Sequence, residues 1–337
     1  MFLDQLTRRE TLAALAASAA LPLVSRSAPA FAQAAPANDA SAGALLDSIA
    51  ENLLWLSPES ATALGIDKGK RAPLRSRLSD RSGIGQQRLA QTLRADLARA
   101  NAIDTSALSH STRTSVEVVR SAYAVALEGF QLPYGDVAVG GWRNTPYVVI
   151  QNVGAYLDVP RFLDSDHQIE NAADAEAYLA RLASYPQQLD NELGRVIMAR
   201  YKGLIPPGFL LDKALNQLKQ SAKGAREGGG LVESIERRTR EKNIPGNWAE
   251  RARAIAQKQV APALERQIAE LTLQRRMATE DPGMGARPNG DEYYRWALRA
   301  STTTTMSPEE VHQTGLRELR ELQGRMDPIL RSLGASV

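Results

Sequence analysis

Three histidines hold most of what this chain offers to metal or acid–base chemistry: His110, His167 and His312. Zinc hydrolases commonly set two histidines four residues apart on one helix, with a glutamate between them that activates water. None of the three has a second histidine within that reach. His110 leads into Ser111-Thr112-Arg113-Thr114, His167 into Gln168-Ile169-Glu170-Asn171, and His312 into Gln313-Thr314-Gly315-Leu316. The chain has no cysteine, which removes thiol nucleophiles, thiolate-bound zinc, iron–sulfur clusters and disulfides together. No G-x-S-x-G elbow, P-loop or strand-borne G-x-G-x-x-G is present. Two adjacent carboxylate pairs remain. Glu280-Asp281 precedes Pro282 and reads as a turn. Glu309-Glu310 follows Ser307-Pro308 and reads as the first turn of a helix, where the backbone dipole favours acids. On these grounds no residue is assigned a catalytic, cofactor-binding or metal-ligating role.

The elements that must carry these residues are helices. Apolar residues recur at spacings of three and four from Leu45 onward. Leu45, Ile49, Leu53 and Leu56 form one stripe, and Leu89, Leu93 and Leu97 a second that ends near Asn101. Val116, Val119, Tyr123 and Leu127 form a third. A long helix runs from Ala172 to about Tyr201, with Tyr178, Leu182, Tyr185, Leu189, Leu193 and Val196 on one side. Leu210 to Leu218 mark the next, and Ile255 to Leu271 another long one. Pro186 and Pro262 each remove a backbone donor inside a helix, so both long helices are expected to kink. Ser307-Pro308-Glu309-Glu310 carries a full N-terminal signal: a serine cap, a first-turn proline and a capping-box glutamate. Ser57-Pro58-Glu59 and Asn247-Trp248-Ala249-Glu250 are further starts, Pro206-Pro207 opens a helix after Gly203, and Gly228-Gly229-Gly230 separates two others. Residues 131–162 resist this reading. They hold several glycines and prolines and the β-branched run Val148-Val149-Ile150, and are expected as a short hairpin or a long ordered loop that packs under helices.

The 337 residues carry 41 Lys+Arg against 38 Asp+Glu. Basic runs such as Arg237-Arg238-Thr239-Arg240 and Arg275-Arg276 lie among glutamates and read as solvated helix faces. With no aromatic residues interleaved, nucleic acid is not an expected partner. The N-terminus reads as an export address. Arg8-Arg9 precedes a short apolar stretch from Leu12 to Val24, and Ala30-Phe31-Ala32 offers a small-residue cleavage site. The segment resembles a twin-arginine (Tat) signal, with Thr11 and Ala13 departing from the commonest residues. Residues 1–32 are therefore expected to be a removable signal, 33–44 a flexible leader and 45–337 a helical domain. No stable membrane span is expected after cleavage, and the location is expected to be periplasmic or secreted.

Two stretches carry a family resemblance. The first is Asp158-Val159-Pro160-Arg161-Phe162-Leu163 with Ala175-Glu176-Ala177-Tyr178-Leu179-Ala180-Arg181-Leu182 and Gly203-Leu204-Ile205-Pro206-Pro207. The second is Gly290-Asp291-Glu292-Tyr293-Tyr294-Arg295-Trp296-Ala297-Leu298, followed by Ser307-Pro308-Glu309-Glu310-Val311-His312. Together they resemble the bacterial domain-of-unknown-function 885 family, whose exported members are similar to gluzincin-type zinc metallopeptidases. The resemblance implies an all-α protein with long kinked helices, equivalent to the N-terminal part of a gluzincin-like fold. It also implies that the H-E-x-x-P-G-H-H zinc motif lies beyond this chain. Zinc is then expected only in a full-length member, and no cofactor in this chain. Tyr293-Tyr294 and Thr302 to Thr305 would face a peptide channel in a completed enzyme, or else serve packing and capping. His312 matches the family's P-E-E-h-H pattern and is expected to be structural or cleft-facing.

The functional expectation is an exported helical protein that resembles half of a metallopeptidase and is inactive alone. The alternative is a non-catalytic periplasmic binding or scaffold protein. A helix built to pack on a missing half should expose a contiguous apolar face. The expected partners are therefore that missing C-terminal half or a second copy of the chain, with peptide a substrate only if the enzyme is completed.

Overall fold

The computed structural model describes residues 37–140 and 144–334. The signal-type segment 1–32 lies outside the described residues. Among those residues the chain forms twelve α-helices and no strand, the all-α class that the apolar spacing implies. In order they are α1 Ala37–Leu56, α2 Pro58–Ala63, α3 Gly83–Asn101, α4 His110–Gly129, α5 Ala155–Ser165, α6 Ala172–Tyr201 and α7 Gly208–Glu227. They continue as α8 Leu231–Glu241, α9 Trp248–Ile255, α10 Ala261–Met277, α11 Gly290–Thr302 and α12 Pro308–Ser332. None of these helices is long and apolar enough to cross a membrane.

Helix α1 starts at Ala37, inside the stretch expected to be a flexible leader. Alanine is the strongest helix former, and Asp39 supplies an acid in the first turn. That turn is also anchored: Asp39 accepts a hydrogen bond at 2.9 Å from the Ser109 backbone N–H, at the start of α4, and Ala42 is buried. Helices α1, α3 and α4 bury Ile49, Leu93, Tyr123 and Ala126 between them in a small core of their own. The larger core is built around α6. Helix α10 packs along both α6 and α7, α5 and α9 lie against α6, and α8 lies against α5 and α9. Helix α11 rests on α4, where Gly129 leaves room for the Trp296 ring; a Cβ there would overlap it.

Side-chain caps explain several helix starts. Ser82, Ser109, Asn171 and Ser307 accept from the N–H groups of Gly85, Thr112, Asp174 and Glu310, which satisfies donors that a helix leaves open. Two expected caps are absent. Asn247 and Ser57 make no such bond; the Ser57 hydroxyl pairs instead with that of Ser60, and Glu59 accepts from the Ser79 N–H and hydroxyl. At Ser57 the hydroxyl is thus engaged within its own turn while Glu59 is drawn to Ser79.

The two prolines behave differently. Helix α6 continues through Pro186. Before Pro262 the chain forms a π-turn, Ala256–Val260, in which Ala261 N–H reaches back five residues to the Ala256 carbonyl. Pro262 has no N–H for the Lys258 carbonyl, so the α-helical ladder is already broken there, and a π-turn is a usual outcome of such a break.

The described residues of 131–154 form an ordered loop, the second of the two expected forms, with no strand or helix among them, and α5 already begins at Ala155. Only two isolated bridges occur, Asp136 with Thr145 and Ile150 with Val153. Val148, Val149 and Ile150 are buried with no neighbouring strand. Side chains supply part of what a strand would have supplied: Tyr156 donates to the Ile150 carbonyl at 3.0 Å, and Arg195 to the Gly135 carbonyl at 2.8 Å.

Candidate functional site

Helix α6 carries two charged groups that the reading of its apolar stripe passed over. Arg181 is wholly buried. Its guanidinium donates to the carbonyls of Arg77 at 2.9 Å and Leu74 at 3.0 Å, to the Thr62 hydroxyl at 2.7 Å and to His167 Nδ1 at 2.7 Å. The ring of Phe162 lies 4.7 Å from it. Every direct partner is neutral, and burial brings the Arg181 pKa down to about 10. Because a guanidinium can only donate, His167 must accept through Nδ1 and donate Nε2–H to the Asp174 carbonyl at 2.9 Å. Burial, followed by the positive charges of Arg181, Arg75 and Arg238, takes His167 down to about 4. The imidazole is thus held neutral in one tautomer as a structural joint.

Glu192, three turns further along α6, is also buried. It accepts from Arg81 at 2.8 Å and, through both oxygens, from the Ala155 N–H at 2.9 and 2.8 Å. Ala155 opens α5, so this carboxylate caps a helix N-terminus from a distance. Gly154, at φ 136°, lets the chain enter that helix beside Tyr156. Burial raises the Glu192 carboxyl above the usual range, against the opposing pull of Arg81 and the Ala155 N–H. Both centres join elements distant in sequence. Arg181, His167 and Glu192 are themselves buried.

The other residues singled out from the sequence disperse. His110 is the exposed first residue of α4, and His312 is exposed on α12. No three histidine, aspartate or glutamate side chains among the described residues converge to hold a metal ion. With both ring nitrogens of His167 already engaged, the residues present do not fit a zinc site. Tyr293 is buried, stacked on Tyr134 at 5.6 Å and edge-on to Trp296 at 5.4 Å, so it packs; Tyr294 is exposed. Thr302 and Thr304 bond to each other and Thr303 closes α11 in the left-handed region, which is the capping role. Glu310 completes a capping box with Ser307, and Glu309 accepts from Gln313. Asp281 accepts from the Gly283 N–H as a turn residue, whereas Glu280 reaches the Phe209 N–H and caps α7. Arg237 and Arg275 are solvated with mixed-sign partners as expected. Arg238 is not: it is half-buried and donates to the carbonyls of Leu163, Asp164 and His167 at the end of α5.

Two surface features could serve binding. A cleft of about 700 Å³ lies between α5 and α8, lined by Arg161, Asp164, Ser234, Glu236, Arg237 and Arg240, so its walls carry both signs. The second feature is α12. It has 25 residues and not one is buried, although Leu319, Leu322, Met326, Ile329 and Leu333 all lie on it or at its end. Such a row of large apolar side chains in water marks an association surface.

A helical scaffold with buried ionic joints, a mixed-charge cleft and one uncovered amphipathic helix is thus the class of protein in hand. The model for the family described as "Bacterial protein of unknown function (DUF885)" matches residues 58–337, and the chain belongs to that family. No curated protein matches it. Among solved structures it is similar to a protein of Colwellia psychrerythraea assigned as a lipoprotein, with a TM-score of 0.77 and 21% identity. The match covers 88% of this chain and 52% of that one. The chain therefore spans about half the length of that relative, and the likeness concerns the fold.

Proposed function

We propose that this chain is the N-terminal helical half of an exported, metallopeptidase-like protein, and that the chemistry belongs to a half this chain does not contain. The observation that carries this reading is the pairing of a family match over residues 58–337 with a structural match that takes 88% of this chain but 52% of its neighbour. In this reading the α6 core is a platform, rigidified by its buried ions, and the chain alone is inactive. The location in this reading is periplasmic or secreted, which the twin-arginine pattern of residues 1–32 supports and with which the lipoprotein assignment of the neighbour is compatible. The cleft between α5 and α8 favours a second reading, a non-catalytic periplasmic binding protein on the same scaffold.

Two measurements test the proposal. An H-E-x-x-P-G-H-H coding segment is expected in the nucleotide sequence beyond the codon for Val337, in any frame or in an adjacent gene; its absence favours the binding protein. The purified chain is expected to hold less than one equivalent of zinc and to leave peptides intact. Stoichiometric tight zinc with peptidase activity overturns the proposal.

A further inference from the structure

The cleft between α5 and α8 is lined by three charged side chains of each sign: Arg161, Arg237 and Arg240 against Asp164, Glu233 and Glu236. Pro160 and Leu231 supply an apolar part of its wall. Helix α8 sets a glutamate four residues before an arginine twice, Glu233 before Arg237 and Glu236 before Arg240. That is the favoured order for an ion pair along one helix. Neither pair is closed. Glu233 turns back to accept from the Gly230 N–H at 3.2 Å. Arg237 lies 3.8 Å from Asp164 and 3.5 Å from Glu241 instead, and Asp164 accepts from the Ser234 hydroxyl at 2.7 Å. Among the described residues, Arg161, Arg240 and Glu236 make neither an ion pair nor a side-chain hydrogen bond.

The six charges therefore divide. Asp164, Glu233 and Arg237 are engaged within the protein: the first ties α8 to α5, the second closes the first turn of α8, and the third sits between two carboxylates. Two guanidiniums and one carboxylate remain open, Arg161 on the α5 wall and Arg240 and Glu236 on the α8 wall. A single unpaired arginine on a solvated helix is ordinary. Here three open charges border one cleft of about 700 Å³, within the size range of small-molecule sites. They complement a ligand with the opposite signs in the opposite number. A guanidinium suits a carboxylate because its fork donates two parallel bonds. Pro160 and Leu231 suit a short aliphatic stem between the charged ends. A purely anionic ligand would meet Glu236 unpaired, and a purely cationic one would meet both open arginines.

We infer that the α5–α8 cleft binds a small zwitterion with two carboxylates and one ammonium, the charge pattern of an acidic amino acid or of a short peptide containing one. The inference rests on the binding-protein reading, whose own test is the nucleotide sequence beyond Val337; the titrations below decide the ligand whichever way that test falls.

Calorimetric titration of the purified chain with L-glutamate should show saturable binding with a Kd below about 1 mM at low salt, weakening as salt is added. Glutarate, which lacks the ammonium, and glutamine, which lacks one carboxylate, should each bind about tenfold more weakly. The dipeptides Ala-Glu and Glu-Ala separate the two sources: tighter binding than glutamate assigns the site to peptides, weaker binding to the free amino acid. Arg161→Gln and Arg240→Gln should each weaken glutamate about tenfold. Glu236→Gln should weaken glutamate but not glutarate, a split that a merely structural role would not produce. All three side chains are exposed, so circular dichroism should not change. No binding of glutamate or of either dipeptide at about 10 mM overturns the inference. So does equal binding of glutamate, glutarate and glutamine, or a Glu236→Gln variant that weakens glutamate and glutarate alike.

Discussion

Helices α6 and α12 are the two longest among the described residues, and they are stabilised in opposite ways. Helix α6 is surrounded: it buries Tyr178, Leu182, Tyr185 and Leu189, and also Arg181 and Glu192, which are fixed by bonds to distant segments. Helix α12 buries nothing, and what holds it as a helix is local: the Ser307–Glu310 box and the bond from Gln313 to Glu309. The contrast separates two meanings of a charged residue among apolar ones. On α6 the charges tie three regions into one body. On α12 they lie in water beside an uncovered row of apolar side chains.

The comparison can be broken at several points. Replacing Arg181 by Met has the largest expected effect. It strands the Arg77 carbonyl and His167 Nδ1 without a donor and takes one bond each from the Leu74 carbonyl and the Thr62 hydroxyl, which keep the Arg77 N–H and Asp67 as partners. Urea denaturation should show a loss of about 3–5 kcal/mol; a loss below about 1 kcal/mol would mean that the buried guanidinium is not a tie. Acid should find the same joint. His167 is held at about 4 while its ordinary value is 6.5, so the unfolded chain binds the proton first. Its contribution is complete above pH 6.5 and falls as pH drops toward 4, by about 3 kcal/mol at most. The variant His167→Gln keeps an acceptor for Arg181 and a donor for the Asp174 carbonyl, so it should flatten that part of the pH profile. An unchanged slope would remove His167 from the account. Gly129→Ala should cost about 1–3 kcal/mol by pushing Trp296 off α4, and tryptophan fluorescence would report the displacement.

On α12 the same kinds of change should hardly register in global stability. Leu322→Ala is expected within about 0.5 kcal/mol of the parent, as for other exposed sites. Ser307→Ala, which removes a cap normally worth about 1 kcal/mol, should speed amide exchange in the first turns of α12 and leave α6 protected. Equal slowing or quickening in both helices would show that they unfold as one unit and dissolve the contrast.

What the sequence showed clearly is what is encoded locally. The boundaries of α3 at Asn101, of α7 after Pro206-Pro207 and of α12 at Ser307 follow from caps, glycines and prolines next to them. An exposed apolar face was expected somewhere on the chain, but no apolar stripe was read on the residues of α12 that form it. Local rules failed where a distant group intervenes. Ala37 to Gly43 look like a leader, but Asp39 is held by the start of α4. Within 131–154 the sequence left hairpin and ordered loop open, and the described residues take the loop, because Val148-Val149-Ile150 has no strand among them to pair with. Arg181 and Glu192 did leave a trace. Each lies three or four residues from members of the stripe Tyr178, Leu182, Tyr185, Leu189, and so on the apolar face where a solvated charge does not belong. Arg238 had no such signal; an arginine among arginines and glutamates looks solvated until α5 ends beside it.

The π-turn at Ala256–Val260 has a consequence for how this family can change in length. A π-turn holds one residue more than the α-helix on either side, so it marks the position of a single inserted residue, stabilised by Pro262, which cannot serve the Lys258 carbonyl. Because the wider turn absorbs its extra residue, deleting Gln257, Lys258 or Gln259 would return the segment to an α-helical pitch with Leu264 and Leu271 still facing the core, but with Pro262 unable to donate into the ladder. Insertion and proline should therefore be inherited as a pair. Relatives without a proline at this position are expected to be one residue shorter between α9 and α10, a gap that an alignment of the family would show at once.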